Sequence, residues 1–544
     1  MRYFIGFILS LLTSLTDAQS GEWTWMHGSN FPGDPGLSAP IGITASYNDP
    51  PALYESCNWT DNNGDFWIFG GVLSNYSVNS AFWKFSPSTN MWTWMKGSSY
   101  SNQNGVYGTM GIPAPGNCPG ARGWGAITWT DLDGNLWLFG GNGYDAVGSQ
   151  GDLSDLWKYD VPANMWTWMK GPNTISHQGY FGTKGVASSL NLPRSRQETS
   201  ASWTDNDGNL WMFGGNADST FLFGFLNDLW KYDPLSNNWT WMKGSDSLYA
   251  IGSRGLQGVP SPGNEPSGRD VYSTWKDSKG NLWLFGGNTY GGVFNDLWKY
   301  DISANMWCWI RGDTTSLTTP EIYCQPLSSG KNPDPRSESR ACWTDSCGNF
   351  WLFGGGGNSV GLNDLWQYNV EHDTWTLING HYLTSDSGAY GSILIPGLNN
   401  RPIDRAGSSS FKDKQGNLWI FGGSNYYIYN DLWRFKPDKH CGVNSCDSHP
   451  VTAPIIPNIF TPNGDGNNDL FLIIAEECKV FQLHIYDRWG TQVFSSVDKT
   501  VSWNGNVNNS GNEAVEGVYY YVLNITDLKS RNQSYKGFLT LMRN

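Results

Sequence analysis

The sequence predicts an all-β chain: a six-bladed β-propeller closed by its own N-terminal strand, followed by a small C-terminal β-sandwich. Three observations predict it. Twin glycines recur at Gly70/Gly71, Gly140/Gly141, Gly214/Gly215, Gly286/Gly287, Gly354/Gly355 and Gly422/Gly423, at steps of 70, 74, 72, 68 and 68 residues. Each pair sits inside the same unit, complete in the third copy as SWTDNDGNLWMFGG leading through a loop to NDLWKYDPLSNNWTWMKG, Ser202 to Gly244. The sixth copy stops near Asp438 without its tryptophan strand, which stands instead at the front of the chain as Glu22 to Gly28 (EWTWMHG). A chain that begins with the last strand of its last unit can close into a ring.

Taken in order, residues 1–18 place Arg2 before an apolar run from Tyr3 to Leu15, with a small residue before Gln19. That is the pattern of a cleaved signal peptide, and no other segment is apolar enough to cross a bilayer. The propeller is assigned to residues 19–438. The first strand ends in a Trp and an Asp, as in ITWTD, with Phe411 in place of the Trp in the sixth unit, and a D-x-x-G turn feeds the second strand, NLWLFGG, which is apolar on both faces as a sandwiched strand should be. The third strand is DLWKYD, and the fourth, WTWM, sets Trp166 and Trp168 on one face. Thirty-one Trp and 66 Gly with only 15% charged residues suit turn-rich blades packed through large aromatics. The net charge of −14 argues against nucleic acid or an anionic membrane as partner. Nine cysteines in an exported chain suit an oxidising setting: Cys441 with Cys446, and Cys342 with Cys347, are close enough in sequence to pair, and the odd total points to Cys478 as the thiol left over.

The double glycine closing strand two, the aromatic in (N)DLWKYD and the Trp opening strand four resemble a kelch repeat, the propeller family that includes galactose-oxidase-like domains. The likeness covers roughly Gly21 to Asp438. Two departures stand out: the period exceeds the usual kelch unit, and strand two carries an extra Trp after D-x-x-G-N. The turn is also out of register with the Asp box of sialidases.

Extra length gathers in the two-to-three loops, such as Asn142 to Ser154, and in the inter-blade connections, such as Ser98 to Arg122. If strand one runs downward, all of these lie on the top face, where they form either a binding surface or a collar over the blade ends. An Arg recurs at the head of strand one as Arg122, Arg196, Arg269, Arg336 and Arg405, with Leu53 in its place in blade one. These five are the candidate ligand-binding residues, an anion-binding ring for an acidic glycan. Bracing of strand one is the competing role, and the one that repetition in nearly every blade favours.

Catalysis is thinly supported. Galactose-oxidase-like copper chemistry implies two His ligands and two Tyr, one crosslinked to Cys, yet the seven histidines show no ligand spacing, and only His177 and His381 fall in top-face insertions. Sialidase-like chemistry implies an Arg cluster with a Tyr nucleophile and a Glu base, of which the Arg ring is a partial echo. No catalytic residue is assigned and no cofactor is required. The carboxylates of the six D-x-x-G-N turns are better explained by turn geometry than by calcium.

After Asp438 the pattern stops. Residues 439–454 read as a linker, and residues 455–544 carry alternating segments such as VYYYVLNI that predict a β-sandwich of about seven strands. FTPNGDGNND at Phe460 to Asp469, YDRWG ending in Asp487, Arg488, Trp489 and Gly490, GVYY at Gly517 to Tyr520, and the closing Lys536, Gly537 and Arg543 resemble the gliding-motility-associated C-terminal domain, the type B sorting domain of the type IX secretion system. The resemblance implies export under the leader, recognition by an outer-membrane translocon, and a propeller secreted from or held on the surface of a Bacteroidetes-type cell. Asn463, Asp465, Asn467 and Asp469 alternate as in a calcium loop, and an Asx-rich turn is the other reading. The expected function is a non-catalytic binding or adhesion module for a glycan or protein at the top loops. The alternative is a carbohydrate-active enzyme of galactose-oxidase-like or sialidase-like type.

Overall fold

The computed structural model describes residues 21–199, 202–219, 222–312, 332–357, 361–380, 387–397, 399–437, 454, 456–464, 468–473, 478–499, 501–527 and 532–543. The leader predicted at residues 1–18 lies outside them, as do His381, Cys441 and Cys446. Two compact units divide the chain, Met1–Cys446 and Asp447–Asn544.

The first unit contains six four-stranded antiparallel blades. In blade two, Ile127–Thr130, Leu136–Phe139, Leu156–Asp160 and Met165–Lys170 pair in chain order. Blade six pairs Ser409–Lys412, Leu418–Phe421 and Leu432–Phe435, and its fourth strand is Trp23–His27 from the front of the chain. Trp23 faces Phe435 and Trp25 faces Trp433 across this junction. Trp23 is wholly buried and stands edge-on to Phe353 of blade five, so the closing strand also welds two blades together.

The turn between strands one and two explains the extra Trp. Asp61 accepts the backbone N–H of Asn63 and Asp65 through Oδ1, while Oδ2 accepts the indole N–H of Trp67 at 2.9 Å. The same bond recurs in every blade, from Asp131 to Trp137, Asp205 to Trp211, Asp277 to Trp283, Asp345 to Trp351 and Asp413 to Trp419. Each turn carboxylate is therefore occupied in closing its hairpin and orienting a buried ring. The twin glycines do a different task. Gly71 donates its N–H to the Arg122 carbonyl of the next blade at 2.8 Å, and a Cβ on Gly70 would stand 2.4 Å from that oxygen. Only glycine lets neighbouring blades approach so closely.

The inter-blade connections leave the top face. Five of them, among the described residues, run along the rim and pair with the outer strand of the following blade: Ala114 with Trp166, Ser188 with Trp239, Ser261 with Trp307, Thr44–Ala45 with Trp92 and Thr93, and Gly397 with Trp23. Asn117 reinforces this contact by donating to the Trp166 carbonyl, and Asn48, Asn191 and Asn264 repeat it on Trp92, Trp239 and Trp307. These insertions cover exposed sheet edges, which is the collar role. What rises from the top is the set of two-to-three hairpins, long in blades three and four (Leu210–Ser219 with Leu222–Asp233, Leu282–Thr289 with Gly292–Asp301). In blades one and six they shrink to single bridges, Val72 to Val78 and Ser424 to Ile428.

The second unit is built on one five-stranded sheet among the described residues, ordered Ile459–Phe460, Asn532–Leu541, Gly517–Asp527, Cys478–Tyr486 and Gln492–Ser496. A Phe471–Trp503 bridge supplies further paired chain, and both residues join Phe460, Leu523 and Leu539 in one apolar core.

One cysteine expectation is corrected. The Cys342 thiol is free and donates to the Thr274 carbonyl at 3.2 Å, while Cys347 is disulfide-bonded elsewhere. Strand one aims Cys342 at the neighbouring blade, away from its own hairpin.

Candidate functional site

The five recurrent arginines come together as braces. Arg122 makes a two-pronged contact with Asp155, Nη1 to Oδ1 at 2.8 Å and Nη2 to Oδ2 at 2.9 Å, and donates twice more, to the carbonyls of Gly140 and Gly120. Arg196 pairs with Asp228, Arg269 with Asp296, Arg336 with Asp364 and Arg405 with Asp431 in the same way. Every one of these guanidiniums is buried. Burial, and the use of four of the five N–H groups in these contacts, give the arginines the bracing role rather than that of an exposed anion-binding ring. Blade one completes the argument: Leu53 stands at the Arg position, Ala81 at the Asp position, and the two share one apolar cluster.

The channel mouth holds a group that sequence reasoning missed. Two residues after each Arg position the backbone turns left-handed, at Glu55, Trp124, Glu198, Val271, Glu338 and Gly407, with φ between 44° and 63°. A β-branched residue there, Val271, is a genuine steric outlier. Backbone bonds link the positions from blade to blade: Glu55 N–H to Gly407, Gly407 to Glu338, Glu338 to Val271, Val271 to Glu198 and Glu198 to Trp124. Glutamates occupy alternate blades, one, three and five. Arg340 of blade five reaches both of the others, with Nε 3.0 Å from Glu55 Oε1 and Nη2 3.3 Å from Glu198 Oε2. Its Nη2 also lies where a side chain on Gly125 of the opposite blade would be, 2.2 Å from that Cβ position. Arg340 thus spans the channel and plugs its top.

Carboxyl groups outnumber this cation. Burial holds Glu55 well above the usual carboxylate range, against the pull of Arg340. Burial likewise pushes Glu198 up to about 7, with Asp270 and Glu338 adding to it, and Asp270 up to about 7. Tyr54 donates its hydroxyl to Glu338 Oε2 at 2.5 Å, and burial together with Glu55, Glu338 and Glu198 keeps that phenol protonated. Such a clustering of shifted groups is characteristic of functional sites. Below the plug, Arg340 roofs a channel cavity of about 360 Å³ walled by strand-one side chains such as Asn58, Thr128, Thr204 and Thr274.

Beside the mouth, at the low side of the top face, a second cavity of about 330 Å³ opens between blades six and one. Five aromatic residues line it: Tyr54, Tyr76, Trp124, Tyr426 and Tyr427. Tyr54 and Trp124 rest on a floor of Val72, Val78 and Ala121. Tyr76 and Tyr426 are 76% and 82% exposed. The short loops of blades one and six make this opening, and the alternating glutamates are legible in the sequence only once the Arg positions are aligned.

His177 is exposed, and among the described residues no group of three or more His, Cys, Asp or Glu is placed to hold a metal ion. Of the calcium-loop candidates, Asp469 Oδ1 accepts the Gly464 N–H at 2.7 Å, while Asp465 and Asn467 lie outside the described residues. In the second unit the Asp487–Gly490 segment forms a hairpin turn, Asp487 capping Trp489 N–H and Thr491 N–H. That turn presents Trp489, 81% exposed, with the Arg488 guanidinium 5.3 Å from its ring. Gly537 leaves room for the Tyr521 ring, and Arg543 bonds the Gly505 carbonyl at 2.7 Å.

Residues 454–541 match the CHU_C Type IX secretion signal domain, and residues 183–394 and 254–442 match the KLHDC2/KLHL20/DRC7 Kelch-repeats domain. The bovine Kelch domain-containing protein 2 is 24% identical over 55% of this chain and 61% of its own length. A Kelch repeat-containing protein of Arthroderma benhamiae is 23% identical over 44% of the chain and 37% of its length, and human Multiple epidermal growth factor-like domains protein 8 is 24% identical over 41% and 6%. The chain spans less than two thirds of each of these relatives. Its signal domain points to secretion or the cell surface, and among the described residues no helix is long and apolar enough to cross a membrane.

Proposed function

Because the chain joins a kelch-repeat propeller to a type IX secretion signal domain, we propose that it is an exported recognition module whose low top face binds a glycan outside the cell. The observation that carries this reading is the five-ring cavity between blades six and one. Exposed aromatic faces stack on the apolar faces of sugar rings, and their hydroxyls supply polar contacts at little conformational cost. The exposed turn at Arg488 and Trp489 is the surface offered to the secretion translocon.

A second reading, a carbohydrate-active enzyme, draws on the carboxyl cluster at the channel mouth, where Glu198 and Asp270 sit near pKa 7. One experiment separates the two. The protein is screened against a glycan array and soluble polysaccharides, with reducing-end release followed in the same wells. Binding without product, lost in Tyr426→Ala and Tyr76→Ala at unchanged melting temperature, is the expected result. Product formation would transfer the function to catalysis, and binding only to proteins would replace the glycan.

A further inference from the structure

The five-ring cavity has a chemical bias that sugar stacking alone does not require. Among the described residues its lining contains no Lys, Arg or His, and beyond the tyrosine hydroxyls and the Trp124 indole N–H its polar side chains are Ser74 and Ser424. Amide, carboxyl and guanidinium groups, which would add bonds to the hydroxyls of a neutral oligosaccharide, are absent from the described lining. What it offers instead is π surface, whose faces carry negative potential.

Acidic side chains also lie behind the wall. Tyr54 is a wall residue, and its hydroxyl is bonded to Glu338, which together with Glu55 and Glu198 raises the cost of ionising that phenol. The one cation among them, Arg340, is held by Glu55 and Glu198 and is absent from the cavity lining. The chain as a whole carries a net charge of −14. Aromatic faces backed by carboxyl oxygens, with no cation among the lining residues, form an environment suited to an alkylammonium group.

Resting on the glycan reading above, we propose that the cavity selects amino sugars, taking a glycan whose free ammonium group sits against the rings of Tyr76, Trp124 and Tyr426 in front of Tyr54 and Glu338. Selectivity comes from charge. Acetylation of the sugar nitrogen removes the cation and leaves the pyranose ring unchanged.

The test uses the mature full chain and two oligosaccharides of equal length, one of glucosamine and one of N-acetylglucosamine, in calorimetric titrations at mildly acid pH where the amine is protonated. The glucosamine oligomer is expected to bind at least about tenfold more tightly, the factor that one desolvated cation–π contact supplies. Tetramethylammonium should compete with it. Tyr426→Ala and Tyr76→Ala, both at exposed rings, should abolish the preference while the melting temperature holds. Equal or tighter binding of the acetylated oligomer would overturn the amino-sugar proposal and leave the glycan reading standing. Failure of both oligomers to bind would remove both. A glucosamine preference that survives both substitutions would also overturn the proposal, since it would then come from the overall charge of the chain.

Discussion

Blade one holds Leu53 against Ala81 where blade two holds Arg122 against Asp155, yet the two blades have the same strands in the same order. A buried, doubly bonded ion pair and a pair of apolar side chains do the same structural work at this joint. The charges are therefore useful only as a set. Blade one has lost both partners together, which is the exchange that buried ion pairs tolerate, whereas loss of one partner strands a charge in the interior. It is also the blade that supplies Tyr54 and Glu55 to the channel plug, so its charged contacts reach across the ring to blade five.

The comparison can be broken most sharply in blade three. Asp228→Ala leaves Arg196 buried without its carboxylate and should cost about 3–5 kcal/mol, read as a large fall in urea midpoint. Installing the pair where it is missing, with Leu53→Arg and Ala81→Asp together, is expected to cost about 1–3 kcal/mol, because blade one is packed for smaller groups. Converting blade three to the blade-one pair with Arg196→Leu and Asp228→Ala should stay within about 2 kcal/mol of the parent. A double variant as unstable as Asp228→Ala alone would refute the equivalence.

The smallest effect concerns pH. Glu198 and Asp270 have folded pKa values near 7, above the ordinary carboxylate range. The folded state then holds more protons than the unfolded one between about pH 4 and that value, so their contribution to stability declines as pH rises through this window and is flat above it. Melting temperatures of the parent and of Glu198→Gln, taken across the window, should differ in slope, the variant being the flatter.

Most of the scaffold was legible because each blade repeats its own instructions. Turn, strand and twin glycine recur at fixed offsets, and the misplaced tryptophan strand announced the ring closure. The inter-blade insertions were read as top loops because their partners, Trp166 or Trp239, lie in the following repeat, and backbone pairing leaves little side-chain pattern. The signal that was there is the Asn of Asn117, Asn191 and Asn264, placed just before the Arg segment. The recurrent arginines were visible, but the Asp of each DLW segment became their partner only in three dimensions. Glu55, Glu198 and Glu338 stayed hidden for the opposite reason: they alternate with Trp124, Val271 and Gly407, and a motif search rewards sameness.

The N-terminal closing strand sets a schedule. Ser29 bonds Asn430 at a sequence separation of 401, and Trp23–His27 has its strand partner only when Leu432–Phe435 is in place. Local hairpins can form early, but a contact of such sequence separation comes late. The ring therefore latches after its last blade is made, just upstream of the signal domain. Until then the front strand is unpaired with blade six, and a chain whose last blade is unfinished is an open arc with one uncovered edge.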